Sequence, residues 1–216
     1  MPQTAIANQA YDLLYHKIVA CRYMPGEPLN EKFLLEETGM GRTPVREALL
    51  RLQKEGLIEI FPRKGMRVSP FTKKNVSDLY QARKLLEPTV MTSYLSLYTK
   101  STLLDYLSRF EKSLDDDPLT HFELDAQFHT YLISITQNDI LMDIILSDMY
   151  HSLMVQQIRL AMYADLKSPE DRPESLAQHR AIIDALLREN EAYTRDSVIL
   201  HLNHSLVSSL SAIQNI

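Results

Sequence analysis

Residues 41–52 read GRTPVREALLRL, and this stretch predicts the opening turns of an amphipathic helix. Thr43 suits the N-cap position, and Pro44 fits the first turn, where its missing N–H costs nothing. The apolar residues recur at helical spacing and form one buried stripe: Val45, Ala48, Leu49 and Leu52. With that stripe turned inward, Arg42, Thr43 and Arg46 project outward at the N-terminal end of the helix.

The segments on either side of this helix predict two more helices and a hairpin. One helix covers residues 5–20, and a second covers 31–37 with Asn30 as its N-cap. After Gly56 the chain becomes β-branched and aromatic, and two extended runs, LIEIF and MRVS, flank a PRKG turn. Three short helices followed by a hairpin indicate a winged helix-turn-helix.

The remainder of the chain is predicted to be helical throughout. A capping-box pattern, Ser175-x-x-Gln178, marks the start of one helix. The predicted helices follow one another with short breaks: 76–97, 101–114, 119–136, 139–164, 175–189 and 194–213. The predicted fold class is therefore mainly α, with an N-terminal winged helix-turn-helix and its small β-hairpin followed by an all-α bundle. The predicted domains are 1–70 and 76–216, joined by a linker at 71–75.

Charge and composition limit the class of protein. The chain of 216 residues has a formal net charge of −5, yet residues 1–70 are mildly basic and the remainder is acidic. The single cysteine, Cys21, excludes an internal disulfide and is typical of a reducing compartment. The N-terminus lacks a signal-peptide pattern, and no stretch has the ~18 apolar residues of a membrane span. We therefore expect a cytoplasmic protein without membrane contact, whose N-terminal part has an anionic partner.

The exposed arginines of the central helix are candidate DNA contacts. In a helix-turn-helix, the N-terminal end of the second helix enters the major groove, where arginine can bond a guanine edge bidentately. Arg42, Thr43 and Arg46 occupy that end, and Lys32 on the preceding helix is suited to a phosphate contact. Further candidates lie on the wing: Arg63, Lys64, Gly65 and Arg67. The alternative is that these arginines form surface ion pairs with nearby glutamates: Glu47 and Glu55.

The stretch from Met24 to Val68 resembles the DNA-binding domain of the GntR family of bacterial transcription regulators. Three motifs carry the resemblance: PGEPL, RTPVREAL and LQKEGLI before a glycine-tipped wing. The resemblance implies a homodimer on double-stranded DNA with a palindromic operator, contacted by Lys32, Arg42, Thr43, Arg46, Lys64 and Gly65. Gly41 departs from the family, which usually has Ser or Thr there, so no contact is assigned to it.

Several polar side chains of the second unit fall on faces predicted to be buried. Asp125 and His129 are four residues apart and share one helical face. His179 lies on the apolar stripe of its helix, and the C-terminal helix offers His201 or His204. One aspartate and three histidines from three helices can bind a divalent ion. The alternatives are hydrogen-bonded core histidines and a surface Asp–His salt bridge.

The helical unit resembles the FCD-type effector domain of the FadR branch of the GntR family. The resemblance rests on YQARKLLEP, which contains Arg83 and Glu87, on LDAQFHTYLISITQND, and on QHRAIIDAL with a later histidine. It implies a metal site whose ligands follow the family pattern: Asp125, His129, His179 and His201. Zinc is the favoured ion, with nickel or manganese as alternatives. A small carboxylate effector is then expected at the open positions of the ion. Two basic residues are candidates to bind it: Arg83 and Arg159.

These observations predict a DNA-binding regulator rather than an enzyme. Effector binding in the helical unit is expected to change operator affinity, and the family pattern favours a repressor although the residues themselves do not decide the sign. One rival is a metal-dependent hydrolase, which would need an acid or base beside the metal and leaves the N-terminal unit unexplained. The other is a regulator whose helical unit binds a long acyl chain or only dimerises, without metal.

Overall fold

The computed structural model describes residues 2–70, 72–116, 118–146, 152 and 171–212. The chain divides into two compact units, Met1–Phe71 and Thr72–Ile216. The first unit combines helices with a small antiparallel sheet, and the second is helical in its described part. The predicted fold class, a winged helix-turn-helix followed by an all-α unit, is confirmed.

The first unit contains three helices and three short strands. The helices are α1 (Pro2–Val19), α2 (Glu31–Thr38) and α3 (Arg42–Lys54), and the strands are β1 (Pro28–Leu29), β2 (Ile58–Phe61) and β3 (Gly65–Val68). The strand order is β1-β3-β2, and both pairings are antiparallel. The hairpin was predicted, whereas β1 was not, because a two-residue strand is too short to leave a pattern in the sequence.

Local capping determines where α2 and α3 begin and end. The Asn30 side chain accepts hydrogen bonds from the backbone N–H groups of Lys32 and Phe33, as predicted for an N-cap. Gly39 ends α2 with a φ of 65°, which favours glycine. The N-cap prediction for Thr43 is wrong. Gly41 is the extended cap residue and makes no side-chain cap bond, so Thr43 already lies inside the first turn.

The core of the first unit lies between α1 and α3. Val45 and Leu52 are completely buried on the inner face of α3, which packs against α1, where Leu14 and Ile18 are also buried. Burying a side chain of this size contributes about 1.5–3 kcal/mol. The predicted apolar stripe therefore fixes which face of α3 remains outside.

The second unit is built from helices that were largely predicted from their periodicity. They are α4 (Lys73–Ser93), α5 (Lys100–Lys112), α6 (Pro118–Ser134), α7 (described over 139–146), α8 (Asp171–Leu187) and α9 (Glu191–Ala212). Thr72 and Asn75 form a capping box, so α4 begins before the predicted position and includes part of the predicted linker. The capping box predicted at Ser175 is wrong, because α8 already begins by Asp171. The later part of the helix predicted over 139–164 lies outside the described residues.

Helices α4, α8 and α9 form the centre of the second unit, with α5 against α8 and α6 against α4 and α5. Phe110 of α5 and Phe128 of α6 are completely buried between these helices. The hydroxyl of Tyr98, a buried residue that follows α4, donates to the Leu132 carbonyl of α6 at 2.9 Å. None of the helices in the described part of the chain is long and apolar enough to span a bilayer.

Candidate functional site

The N-terminal end of α3 presents the predicted basic residues on the surface. Arg42, Thr43 and Arg46 are exposed, while Val45 between them is completely buried. On α2, the side chain of Lys32 is 86% exposed and lies 3.8 Å from Glu36. The buried stripe thus leaves one cationic surface at the start of α3, as a groove-reading helix requires.

Arg42 and Arg46 of α3 contact the same carboxylate on α2. Glu31 accepts from Nε of Arg46 at 2.9 Å and from Nη2 of the same guanidinium at 3.2 Å. Its Oε1 also lies 3.3 Å from Nε of Arg42. The hydrogen bond and charge of Arg46 lower the pKa of Glu31. The ion pairs considered from the sequence therefore exist, but with Glu31 rather than Glu47, while Glu55 pairs with Arg51.

The wing places its basic residues in two different settings. Arg63 and Lys64 are exposed in the turn between β2 and β3, next to Gly65, whose φ of 105° favours glycine. A side chain on Gly65 would meet no atom within 4 Å, so the tip is open. Arg67 instead donates to Glu59 across the strand pair at 2.6 Å. The wing tip therefore exposes Arg63, Lys64 and the Gly65 backbone.

The second unit brings together the four predicted metal ligands. Asp125 and His129 come from α6, His179 from α8 and His201 from α9, and one ligand atom of each lies within 4.8 Å of all the others. Oδ1 of Asp125 is 2.9 Å from Nε2 of His179 and 3.4 Å from Nε2 of His201. The Nε2 atoms of His129 and His201 are 3.1 Å apart. Four donor atoms from three helices thus converge.

The other sequence candidate, His204, lies apart from this cluster. Its Nε2 is 3.3 Å from a carboxylate oxygen of Glu174, and its side chain is 29% exposed. His201 is nearly completely buried, one helical turn earlier. The structure therefore places His201, and not His204, beside the other three residues.

Each imidazole of the cluster has a hydrogen-bonding partner at Nδ1, the ring nitrogen that faces away from the centre of the cluster. Nδ1 of His129 lies 2.5 Å from Oε2 of Glu87, and Nδ1 of His201 lies 3.1 Å from Oε1 of Gln178. Nδ1 of His179 lies 3.3 Å from the Ser175 hydroxyl. Such outer partners fix the orientation and tautomer of metal-binding histidines.

The role of these outer partners was not predicted from the sequence. Ser175 and Gln178 resemble a helix-capping pair, and Glu87 was noted only as part of a motif. A hydrogen-bonding residue one turn before a buried histidine on the same helix, as Ser175 stands before His179, is a signal that could have identified one of them.

These contacts leave lone pairs at the centre of the cluster. The Glu87 carboxylate and the Gln178 carbonyl can only accept, so His129 and His201 carry their protons on Nδ1 and leave Nε2 unprotonated. Burial lowers the pKa of His179 and of His201, which keeps both rings neutral at pH 7. Burial alone would raise the pKa of Asp125, but the hydrogen bond from His179, together with the other histidines of the cluster, outweighs burial and holds this pKa well below the usual value. The cluster is an anionic carboxylate facing three imidazole rings, of which His179 and His201 are neutral.

This donor set fits a divalent metal ion. Donors held about 2.1 Å from one ion lie roughly 3.0–4.2 Å from each other. Four of the six separations in the cluster are 2.9, 3.1, 3.4 and 3.9 Å, and all six are within 4.8 Å. Nε2 of His179 is buried, lies 2.9 Å from Oδ1 of Asp125 and has no other hydrogen-bond partner among the described residues. Nitrogen and carboxylate donors of this kind suit zinc and other first-row metals. A cation at the centre would satisfy the facing lone pairs and compensate Asp125.

Arg83 lies next to this cluster in the protein interior. Its Nε donates to Oε1 of Glu87 at 2.5 Å, and Nη1 lies 3.4 Å from the Ser152 hydroxyl. Nη2 is buried and has no hydrogen-bond partner among the described residues. Burial opposes the charge of Arg83, but Glu87 outweighs it and raises the pKa. Arg159, the other effector candidate, lies outside the described residues.

Comparison with protein families divides the sequence in the same way as the motifs. Residues 6–68 match the family described as bacterial regulatory proteins, gntR family. Residues 78–204 match the FCD domain, and this match covers more than half of the chain. The exposed basic surface at the start of α3 lies in the first match, and the Asp/His cluster lies in the second.

Relatives and solved structures agree with this division. The transcriptional repressor RspR of Escherichia coli is 29% identical over 93% of this chain and 87% of its own length. The regulator YdhC of Bacillus subtilis is 27% identical over 91% of this chain and 87% of its own. The structure of E. coli McbR/YncC has the same fold, with a TM-score of 0.79 at 19% identity over 95% of this chain and 97% of that one. RspR is named as a transcriptional repressor and YdhC as a transcriptional regulator, which sets the hydrolase alternative aside. The chain belongs to the GntR family of bacterial transcription regulators, in the FadR-type branch that joins a helix-turn-helix DNA-binding domain to an FCD domain.

Proposed function

We propose that this regulator binds a palindromic operator as a homodimer and that a small carboxylate, bound at a divalent metal site in the FCD domain, changes its operator affinity. The convergence of three imidazole Nε2 atoms and one carboxylate oxygen is the observation that carries the effector half of the proposal. The exposed arginines at the start of α3 carry the DNA half.

On the DNA side, the proposed contacts are Lys32, Arg42, Thr43, Arg46, Lys64 and Gly65. Arg46 reads a base edge and Lys32 contacts a phosphate, because they lie on the recognition helix and on the helix before it. A single helix reads only a few base pairs, so two-fold symmetry is the route to a usable specificity. The palindrome and the dimer follow from this requirement.

Variants of these two residues test the assignment. Arg46→Ala should weaken binding to the operator by about 1–3 kcal/mol and relax base preference. Lys32→Ala should weaken binding to operator and random duplexes alike and reduce the salt dependence by about one contact. Equal losses on both duplexes for Arg46→Ala would contradict base reading.

On the metal side, the proposed ligands are Asp125, His129, His179 and His201, and zinc is the favoured ion. Elemental analysis of purified protein should find about one metal per chain, and His129→Ala should lose it. The matched control is His204→Ala, which removes an imidazole from the same unit but outside the cluster. Equal metal contents in wild type and His129→Ala would refute the site and support a metal-free effector domain.

On the effector side, Arg83 supports an anionic ligand. Its buried Nη2 lacks a partner among the described residues, and guanidinium binds carboxylates well. A metal ion held by four protein donors keeps further positions in an octahedral geometry, which a carboxylate and an adjacent oxygen can occupy. Small organic acids that raise the melting temperature should also change operator affinity, and only in metal-loaded protein.

We also propose that the effector releases the operator. RspR of E. coli is named as a repressor. A repressor is released when its effector lowers its affinity for DNA, and we extend this behaviour to the present chain. The coupling between the two sites is expected to be about 1–3 kcal/mol, since a ligand shifts an equilibrium only by its differential affinity for the two states. A fluorescence anisotropy titration of operator binding with and without the acid would give its sign and size.

A further inference from the structure

One acidic residue of α2 contacts both Arg42 and Arg46, the two arginines of α3 that are proposed to contact DNA. Glu31 stands in the first turn of α2 and is partly enclosed, with 27% of its side chain exposed. It binds Arg46 through two parallel hydrogen bonds of 2.9 and 3.2 Å. The same Oε1 atom lies 3.3 Å from Nε of Arg42. A single carboxylate therefore links both guanidinium groups.

The geometry of the contact leaves the DNA-facing part of Arg46 free. Glu31 occupies Nε and one hydrogen of Nη2, which together form one edge of the planar guanidinium. Both hydrogens of Nη1 and the second hydrogen of Nη2 form the end of the fork, and the Arg46 side chain is 59% exposed. That end has the donor spacing that pairs with two acceptors on a guanine edge.

We infer that Glu31 is a positioning residue for sequence readout, which holds Arg42 and Arg46 in the orientation that meets the base edges. An unsupported arginine samples many rotamers and can satisfy its charge on any nearby phosphate. A guanidinium fixed by a carboxylate loses that freedom before binding, so the base contact forms at a lower entropic cost. The inference rests on the proposed placement of these arginines at the DNA.

The position of Glu31 also distinguishes this role from general repulsion of DNA. Any acidic residue near the duplex weakens binding to all sequences by a similar factor. Glu36, on the same helix, is such a residue, because it lies near Lys32 and contacts neither arginine in the described structure. Glu31 should differ from Glu36 in discrimination between sequences, and not only in affinity.

The test compares Glu31→Gln with the matched control Glu36→Gln. Two duplexes of equal length are used: one enriched from a randomised pool by the wild-type protein, and one with the same bases scrambled. Anisotropy titrations give the discrimination ratio, which is the dissociation constant for the scrambled duplex divided by that for the selected duplex. Glu31→Gln should reduce this ratio by about tenfold, the order of one bidentate base contact. Glu36→Gln should tighten binding to both duplexes and keep the ratio.

Two further variants separate the ways in which the inference can fail. Glu31→Asp keeps the charge but shortens the side chain, so it should lose discrimination as Glu31→Gln does. If Glu31→Gln and Glu31→Asp both keep the wild-type ratio while Arg46→Ala loses it, Glu31 does not position the arginines. If Arg46→Ala also keeps the ratio, the proposed DNA interface itself is wrong.

Discussion

Replacing Glu87 by glutamine tests whether the interior of the FCD domain is organised around one buried charge. Glu87 is completely buried and accepts from Nε of Arg83 and from Nδ1 of His129, each at 2.5 Å. Burial alone would raise its pKa, but Arg83 and His129 outweigh burial and lower it from 4.5 to about 2. A shift of this size corresponds to about 3 kcal/mol in favour of the ionised form in the folded protein.

Glu87→Gln should therefore lower the free energy of unfolding by about 3 kcal/mol, in line with the loss of one partner from a buried ion pair. For a domain of this size, the melting temperature should fall by roughly 10 °C. The exposed residue Glu123, also on a helix of this unit, provides the control. Glu123→Gln should change stability by less than about 0.5 kcal/mol.

The pH dependence adds a second criterion for Glu87→Gln. Because the folded-state pKa is depressed, the stabilisation by Glu87 is fully present above the unfolded value near 4.5 and is lost only as the pH falls towards 2. The stability difference between wild type and variant should thus stay constant from pH 6 to 8. Thermal unfolding of metal-free protein across that range measures it. A difference below about 1 kcal/mol, or one that changes steeply over this range, would refute the reasoning.

Three other predictions concern separate parts of the molecule. Ser175→Ala removes the hydroxyl behind His179 and should weaken metal binding by about 10–100-fold in chelator competition, whereas an unchanged affinity would show that the ring needs no such support. Leu52→Ala empties a completely buried position of α3 and should destabilise the first unit by about 2–5 kcal/mol in denaturant unfolding, and a loss under 1 kcal/mol would contradict the packing. Burial raises the pKa of Cys21 to about 11, so its reaction with a disulfide reagent at pH 8 should be about 100-fold slower than that of a thiol at the reference value of 9.0. A normal rate would place the thiol in solvent.

Features set by local sequence were predictable. The buried stripe of α3, the Asn30 cap and the hairpin depend on neighbouring residues, whose spacing is visible in the chain. The four residues of the Asp/His cluster could be named because helical spacing puts Asp125 and His129 on one face, and because the rest matched a family pattern. Spacing alone left His201 and His204 as alternatives, since both stand on the same helix.

Features set by tertiary contact were not predictable. Glu31 pairs with arginines of the following helix, and the turn between the helices brings them together in a way that charge spacing along one helix does not reveal. Ser175 has the residue type of a helix cap, yet it lies inside α8 and faces His179. Glu87 reaches His129 from a different helix, so their contact exists only once α4 and α6 are packed.

Glu87 shares a single negative charge between a candidate metal ligand and a candidate anion receptor. An anion that draws Arg83 away leaves more of that charge to His129, which makes the ring a stronger electron donor to an ion. Metal and anion would then bind cooperatively, and thermodynamic reciprocity requires each to raise the affinity of the other by the same factor. Through this one side chain, the abundance of a metal in the cell would set how sensitively the protein responds to an organic acid.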